Sequence, residues 1–205
     1  MTGFRLDGPE DAPATLLLAH GAGAAMDSPA MQAIALALAA AGLRVARFEF
    51  GYMAGRREGR RAAPPRAETL KGEYRAAVAA LGPQPRLVIG GKSMGGRVAS
   101  MVADAVAPAG LLCLGYPFHP PGRPEQLRTA HLATLRTRTL ICQGSRDPFG
   151  TAEEVATYSL APAIEIAWIE DGDHDLRPRK SVTGRTAAAA RTALAARVAA
   201  WTRTL

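Results

Sequence analysis

Short apolar runs recur along the chain and predict the strands of a sheet. They occupy residues 15–19, 43–50, 87–89, 110–114, 140–142 and 164–169, and residues 4–6 predict a further, short edge strand. An unbroken apolar run is typical of a parallel strand that is covered on both faces. We therefore expect a mainly parallel sheet with helices on both sides.

Apolar residues at helical spacing separate these runs. The first helix is expected to begin after Asp27 or Ser28, with Pro29 in its first turn, and to end at Gly42. Further helices are expected over residues 68–81, 94–106 and 152–158. A last helix near the end of the chain has its apolar stripe at Leu194, Val198, Trp201 and Leu205.

Strands that alternate with helices indicate one α/β domain over residues 1–205, with three layers and right-handed crossovers. Two segments lack periodicity and are expected to be loops: residues 51–65, which hold an arginine cluster, and the proline-rich residues 115–124. A chain of 205 residues leaves no space for a separate cap domain. Any lid over a site would therefore come from one of these two segments.

The composition narrows the class of protein. Hydrophobic residues make up 48% of the chain, yet no run approaches the roughly 20 apolar residues of a membrane span. The first residues lack the pattern of a secretory signal, so we expect a cytoplasmic protein that is not bound to a membrane. Cys113 and Cys142 lie inside apolar runs and are expected to be buried free thiols.

The formal net charge is +7, and five arginines between residues 56 and 66 concentrate it. A basic surface that faces solvent, an acidic substrate or partner, and a nucleic acid would each account for this charge. No nucleic-acid motif and almost no aromatic residue accompany the arginines. We therefore expect no nucleic acid and favour the solvated surface over an anionic ligand.

The order Gly91-Lys92-Ser93-Met94-Gly95 follows one predicted strand and precedes a predicted helix. A strand that reverses into a helix within so few residues forces Ser93 into a strained geometry, and the glycines leave space for the turn. The pattern predicts a nucleophile elbow with Gly91 and Gly95 as its glycines. The alternative is a glycine-rich turn that binds phosphate or only connects two elements, but the residue order of a phosphate-binding loop is absent.

Chemically reactive side chains end four predicted strands: His20, Ser93, Asp147 and His174. In a parallel sheet these ends lie at one edge, where open α/β folds bind ligands. The order serine, acid, histidine is the one that an α/β-hydrolase requires. We expect Ser93 to be the nucleophile, His174 its general base and Asp147 the acid that orients the imidazole.

Several residues near these three are expected to support the reaction or to bind the substrate. The backbone N–H groups of Met94 and Ala22 are expected to form an oxyanion hole. His20 is expected to brace the loop of residues 21–23, and Lys92 to pack under the elbow. The candidates for the substrate rim are Arg56, Arg57 and Tyr116, and arginines at the rim would favour an anionic acyl substrate. We expect neither a metal nor an organic cofactor.

Four segments resemble a known family: Gly90-Gly-Lys-Ser-Met-Gly-Gly-Arg97, His20-Gly-Ala-Gly23, Gly115-Tyr-Pro-Phe-His-Pro-Pro-Gly122 and Gly172-Asp-His-Asp-Leu176. They resemble the α/β-hydrolase family that includes testis-expressed protein thirty and subunit three of the NSL acetyltransferase complex, in particular its small bacterial members. More distantly, the chain is similar to dienelactone hydrolases. The resemblance implies a compact α/β-hydrolase fold with Ser93, Asp147 and His174 at the triad positions, and it implies no substrate.

The sequence thus predicts a serine hydrolase, of the carboxylesterase or thioesterase kind, that acts on a small-molecule acyl substrate through an acyl-enzyme. Two alternatives stay open. One is a serine peptidase, because residues 91–96 are also similar to the prolyl-oligopeptidase relatives of the fold. The other is a non-catalytic interaction protein, which the resemblance to the NSL subunit allows. The oligomeric state does not follow from the sequence.

Overall fold

The computed structural model describes residues 3–60 and 63–205, and these residues form a seven-stranded sheet. The strands are β1 (Arg5–Asp7), β2 (Thr15–Ala19), β3 (Arg44–Phe48), β4 (Leu87–Lys92), β5 (Gly110–Leu114), β6 (Thr139–Gly144) and β7 (Ile164–Ile169). Their order in the sheet is β1-β3-β2-β4-β5-β6-β7. The edge strand β1 runs antiparallel to β3 and the other pairs are parallel, which confirms the expected mainly parallel sheet.

Helices cover both faces of this sheet. They are α1 (Pro29–Ala40), α2 (Gly51–Arg57), α3 (Lys71–Leu81), α4 (Met94–Ser100), α5 (Ala103–Val106), α6 (Ala152–Val155), α7 (Lys180–Thr183) and α8 (Ala187–Thr202). Two 3₁₀ segments, Ala67–Leu70 and Ala130–Thr134, complete the regular structure of the described residues. No helix among residues 3–60 and 63–205 has the length and apolar character that a bilayer crossing requires.

The three layers follow from the unbroken apolar runs. In β2, Leu17 packs into the core that contains Tyr74 of α3, whereas Leu16 and Leu18 pack into the opposite core with Leu38 of α1. All three leucines are fully buried. Since successive side chains of a strand point to opposite faces, both faces of the sheet are covered, and the predicted three-layer α/β fold is confirmed.

Several boundaries agree with the sequence pattern. The strands at residues 15–19, 110–114 and 164–169 begin and end as expected. Ser28 caps α1 by accepting a hydrogen bond from the Met31 N–H (3.4 Å), and Gly42 beyond its end has φ = +85°. The edge strand lies one residue later than expected, and β3 ends at Phe48. Cys113 and Cys142 are buried free thiols, as predicted.

The expectation of a loop over residues 51–65 was wrong in its first half, because residues 51–57 form helix α2. Two glycines and the missing side-chain cap hide this helix from the sequence pattern. Packing supports it instead: Met53 and Gly55 are buried, and the Gly51 N–H donates to the Glu73 carboxylate (2.6 Å). Residues 61 and 62, which the expected loop included, lie outside the described residues.

Two expected helices are shorter than their apolar spacing predicts. The helix over residues 94–106 divides into α4 and α5, and the one over residues 152–158 ends at Val155. At the division, the Ser100 hydroxyl donates to the Arg97 carbonyl (2.7 Å) and the Val102 N–H turns to the carbonyl three residues back (3.1 Å). A side-chain bond to the backbone competes with helical pairing in this way.

Candidate active site

Ser93 lies in the sharp turn between β4 and α4, with φ = 52° and ψ = −117°. Such a conformation is unfavourable for a non-glycine residue and persists only where the surroundings fix it; here the Ser93 N–H donates to the Leu114 carbonyl on β5 (3.0 Å). A Cβ on Gly91 or on Gly95 would lie 2.5 or 2.6 Å from the Ala19 carbonyl oxygen. Only glycine fits at these two positions, because the end of β2 passes so close.

A continuous chain of hydrogen bonds joins the three expected catalytic residues. The Ser93 Oγ lies 2.8 Å from His174 Nε2, and His174 Nδ1 lies 2.8 Å from Asp147 Oδ2. An ionised carboxylate only accepts hydrogen bonds. Nδ1 therefore carries the proton that is donated to Asp147, which leaves the Nε2 lone pair to accept the Ser93 hydroxyl proton.

Sheet order brings these residues together although they are distant in sequence. Ser93 follows β4, Asp147 follows β6 and His174 follows β7, and β4, β5, β6 and β7 are successive neighbours in the sheet. Asp147 has no exposed surface. Its carboxylate also accepts hydrogen bonds from the Gln143 side chain (3.0 Å) and from the Phe149 N–H (2.9 Å). Donors of the protein thus take the place of water around this buried carboxylate.

Two residues that sequence reasoning missed hold the pair of Asp147 and His174. Gln143 also donates to the carbonyls of Tyr116 and Gly150 (3.2 Å each). The Phe149 ring stacks on the His174 imidazole with centroids 4.1 Å apart. Gln143 could have been noticed because it is a polar residue at the end of a buried apolar run, and such a residue needs hydrogen-bond partners. No sequence pattern indicated Phe149.

The two N–H groups expected to form an oxyanion hole have no hydrogen-bond acceptor among the described residues. Met94 is the first residue of α4, so its N–H has no partner within the helix. The Gly21 carbonyl accepts from His20 Nδ1 (2.7 Å). Because a trans peptide points its C=O and N–H in opposite directions, the Ala22 N–H points away from His20.

His20 is fully buried and braces this loop, in agreement with its expected structural part. Its Nε2 accepts a hydrogen bond from the Phe50 N–H (3.2 Å), so Nδ1 carries the proton that binds the Gly21 carbonyl. Burial lowers the pKa of His20 below its ordinary value of 6.5, although the bond to the Gly21 carbonyl opposes this shift. The neutral ring is therefore the form that the fold favours.

A cavity of about 310 Å³ opens beside Ser93 and His174. Its walls are mostly apolar. Ala30, Met31 and Ile34 of α1 form one side, and Ala187 and Leu194 of α8 form another. Three cations line it as well, Lys92 before Ser93, Arg177 after the His174 turn and Arg191 on α8, together with the carboxylate of Asp175. The cavity therefore combines apolar surface with charged groups of both signs next to the serine.

Tyr116 is not part of the substrate rim, contrary to expectation. It is fully buried, its ring packs on Phe118 with centroids 4.9 Å apart, and its hydroxyl donates to the Arg128 carbonyl (3.0 Å). The chain turns into the core directly after β5 instead of following the surface. Described residues of the 115–124 segment do not line the cavity, so this segment provides no lid over Ser93.

Arg56 and Arg57 do not line the cavity either. Arg57 binds the carboxylates of Glu49 (2.7 Å) and Asp27 (2.6 Å), and these bonds raise its pKa further above the ordinary arginine value. The Arg56 guanidinium lies 5.5 Å from the centre of the Tyr52 ring. The Tyr52 hydroxyl donates to the Ala22 carbonyl (3.0 Å), so this part of the arginine cluster supports the loop behind the site.

Two of the cations that line the cavity, Arg177 and Arg191, were missed because they lie in segments that the sequence reasoning treated as turn and surface. Arg191 lies four residues after Ala187 and three before Leu194, a spacing that places it on the same face of α8. No group of three or more His, Cys, Asp or Glu side chains that would hold a metal ion occurs in the described part of the chain.

Comparison with known proteins identifies a family and several similar folds. A family model described as the alpha/beta hydrolase domain matches residues 12–203. A dienelactone hydrolase from Anabaena variabilis superimposes with a TM-score of 0.70 at 21% identity, covering 97% of this chain and 89% of that one. An a/b serine hydrolase without lid from Xanthomonas campestris gives 0.68 at 22% identity, covering 96% and 87%.

The esterase domain of a Rhodothermus marinus protein is similar to the same extent. Its TM-score is 0.66 at 19% identity, and the alignment covers 98% of this chain and 92% of that chain. At these identities the solved structures establish a common fold. The chemistry has to be argued from the residues of the site itself.

Proposed function

The chain belongs to the alpha/beta hydrolase family, and from that premise we propose that it is a serine hydrolase that cleaves an ester or thioester through an acyl-enzyme. The observation that carries this proposal is the chain of two 2.8 Å hydrogen bonds from Ser93 through His174 to the buried Asp147. A neutral serine is a weak nucleophile, and a histidine held in this way can take its proton as the new bond forms.

The reaction then has two halves. Ser93 Oγ attacks the carbonyl carbon of the substrate while His174 Nε2 accepts the hydroxyl proton, and the negative charge collects on the former carbonyl oxygen. In this proposal the N–H groups of Met94 and Ala22 bind that oxygen, and one such donor is typically worth about 3 kcal/mol of barrier.

When the tetrahedral intermediate collapses, the alcohol or thiol leaves with the proton that His174 returns. Water then attacks the acyl-enzyme, again losing its proton to His174 Nε2, and the second collapse returns that proton to Ser93 Oγ. The acid and the free enzyme are the products. Asp147 stays ionised and holds the imidazole in one orientation throughout.

The cavity favours a small acyl group. Its apolar walls on α1 and α8 offer burial to a hydrocarbon portion, and burying apolar surface contributes about 25 cal/mol per Å². The solved structures named above include an esterase domain and a dienelactone hydrolase, whose names agree with an ester substrate. Within the family, the motifs quoted from the sequence favour the small bacterial members that resemble testis-expressed protein thirty. The cytoplasmic location stays a prediction.

We further infer that the acyl substrate carries an anionic group, which Arg191 binds. Arg191 is half-buried in the cavity wall and has no carboxylate partner among the described residues. Arg197, six residues further along the same helix, does have one, because it binds Glu165. A carboxylate or phosphate on the substrate would give Arg191 the charge-assisted hydrogen bond that Arg197 already has.

The anionic group is tested with aryl hemisuccinate and aryl butyrate esters, which differ mainly in a terminal carboxylate. Arg191→Gln should lower kcat/KM for the hemisuccinate about tenfold and leave the butyrate nearly unchanged, since a charged hydrogen bond contributes about 1.5–3 kcal/mol. Arg185→Gln is the matched control, because Arg185 is exposed and lies outside this cavity. Equal losses on both esters would contradict the inference.

The proposed chemistry is tested by rapid-mixing kinetics with an aryl acetate, an acetyl thioester and a peptide anilide. We expect a burst of the first product from the ester, an acetyl group on Ser93 by mass spectrometry, and slow or no cleavage of the anilide. Ser28→Ala is the control, because Ser28 also lines the cavity but caps α1 and has no histidine partner. Cleavage of the anilide in preference to the ester would favour the peptidase alternative instead.

A further inference from the structure

Lys92 is a buried cation that the reaction as described does not use. It is the last residue of β4 and directly precedes Ser93, and it is only 8% exposed. Its ammonium donates to the backbone carbonyl of His174 (2.7 Å) and lies 3.5 Å from Asp175 Oδ1. The residue next to the nucleophile is thus bonded to the backbone of the general base.

The neighbouring strand leaves space for this contact. Gly115 follows β5 with φ = +65°, and a Cβ on it would lie 2.7 Å from the His174 carbonyl oxygen. The same Cβ would lie 3.3 Å from Lys92 Nζ and 3.4 Å from His174 Nδ1. A side chain at position 115 would therefore crowd both the lysine ammonium and the His174 carbonyl that it binds, and glycine leaves that space open.

The turn that carries His174 has an unfavourable backbone conformation on both sides of the histidine. Asp171 and Leu176, on either side of His174, both have positive φ (51° and 61°), a conformation that costs about 1–3 kcal/mol for non-glycine residues unless the surroundings fix it. The Arg146 side chain holds the start of the turn through the Asp171 carbonyl (2.7 Å). At His174 itself, the Lys92 ammonium makes the one backbone hydrogen bond found among the described residues.

We propose that Lys92 is a positioning residue, whose ammonium clamps the His174 carbonyl so that the imidazole stays aligned with Ser93 through both proton transfers. The proposal rests on the proposed function, since alignment matters only if Ser93 reacts. A displacement of about 1 Å at a reacting group can cost about a hundredfold in rate. Lys92 acts through His174 and does not contact the reacting atoms in this account.

The clamp has a pH dependence of its own. Burial lowers the pKa of Lys92 below that of an ordinary lysine, and the Asp175 carboxylate partly opposes this shift, as do Asp147 and Asp173. Among the described residues, Asp173 and Asp175 lie on the turn after β7 and Asp147 lies after β6, the ammonium binds the His174 carbonyl, and the cation Arg177 lines the same cavity. As the pH rises through the lowered pKa, the ammonium loses its charge and the clamp weakens.

The test compares Lys92→Met with the control Lys180→Met, which removes an exposed lysine on α7. For Lys92→Met we expect kcat on an aryl ester and the rate of fluorophosphonate labelling to fall together by about tenfold to a hundredfold, with KM nearly unchanged. The wild type should show an alkaline decline of kcat that Lys92→Met lacks. Thermal unfolding and circular dichroism establish that each variant is folded.

Asp175→Asn is a second variant that keeps the lysine in place. Removing the carboxylate lowers the pKa of Lys92 further, so the alkaline decline should move to lower pH. Unchanged kcat and labelling in Lys92→Met, or an alkaline limb that both variants leave in place, would overturn the proposal while the serine mechanism stands. A folded wild type that is not labelled at all would overturn both.

Discussion

At the scale of the residue, the proposed mechanism depends on the buried carboxylate of Asp147. It has no exposed surface and accepts hydrogen bonds from His174, Gln143 and the Phe149 N–H. All three contacts require an acceptor. A side chain that offers a donor in place of an oxygen would disturb the imidazole tautomer while leaving the shape of the site nearly unchanged.

We therefore predict that Asp147→Asn lowers kcat by about 10³–10⁴, since an amide that faces Nδ1 favours the wrong imidazole tautomer. The protein should stay folded, because the amide has nearly the same volume. The control is Asp104→Asn, which removes another hydrogen-bonded carboxylate, one that binds Arg136 and Thr137 away from the site. Hydrolysis of an aryl ester measures both; a loss below tenfold for Asp147→Asn would show that Asp147 is not the orienting acid.

The buried His20 should make the free energy of unfolding depend on pH. Burial lowers its pKa from the ordinary 6.5, so the unfolded chain binds a proton more readily than the folded protein. The stabilisation is fully present above about pH 6.5 and is lost as the pH falls from there toward the lowered pKa. Denaturant unfolding between about pH 8 and pH 5 should show this decline.

His20→Gln should flatten part of that decline, and only part, because burial also lowers the pKa of His131. A glutamine can still donate to the Gly21 carbonyl but does not titrate. If the pH dependence of the unfolding free energy is the same in wild type and His20→Gln, then His20 is not the neutral brace that its two hydrogen bonds indicate.

Residue identities could be predicted where a strand end marked them. Ser93, Asp147 and His174 each follow an apolar run, and the structure brings them together. The contacts of Lys92 and Arg191 could not be predicted from the sequence. The direction of a side chain that leaves a strand end or a helix face depends on the residues packed around it, and those come from distant parts of the chain.

At the scale of the element, the elbow depends on glycines that face the end of β2. A Cβ on Gly95 would lie 2.6 Å from the carbonyl oxygens of both Ala19 and His20. These oxygens belong to the backbone and cannot turn away as a flexible side chain would.

Gly95→Ala should therefore destabilise the protein by about 1–3 kcal/mol or more, the typical cost of overpacking, and should lower the rate at which Ser93 reacts. Gly72→Ala is the contrasting variant, because Gly72 is exposed within α3 and has open space around it. That change should stabilise by about 0.5–1 kcal/mol, as expected for glycine replaced within a helix. Chemical denaturation measures both, and a stable Gly95→Ala would refute the close approach.

Helices and strands could be predicted from the sequence where the local pattern of apolar residues alone determined them. The strands over residues 15–19, 110–114 and 164–169 have matching boundaries because each is a continuous apolar run between turn residues. Helix α2 was missed because its two glycines and two arginines give no apolar periodicity. Its stability comes from Met53 in the core and from the bond between the Gly51 N–H and Glu73.

At the scale of the whole molecule, the order of the sheet converts three distant segments into one site. The ends of β4, β6 and β7 meet at the same edge, and the cavity lies there between α1 and α8. Sequence reasoning located this edge correctly but expected the arginine cluster at its rim. Arg56 and Arg57 instead lie behind the loop of residues 21–23, where Glu49 and Asp27 bind Arg57 and the Tyr52 ring contacts Arg56.

The central claim is that Ser93 is a nucleophile activated by His174, and its most direct test is labelling of the intact protein by a fluorophosphonate, with the modified residue located by mass spectrometry. The account predicts one modification, on Ser93, which is absent in Ser93→Ala and nearly absent in His174→Ala, while Ser28→Ala is labelled like the wild type. A folded wild type without label, or equal labelling in His174→Ala, would contradict it.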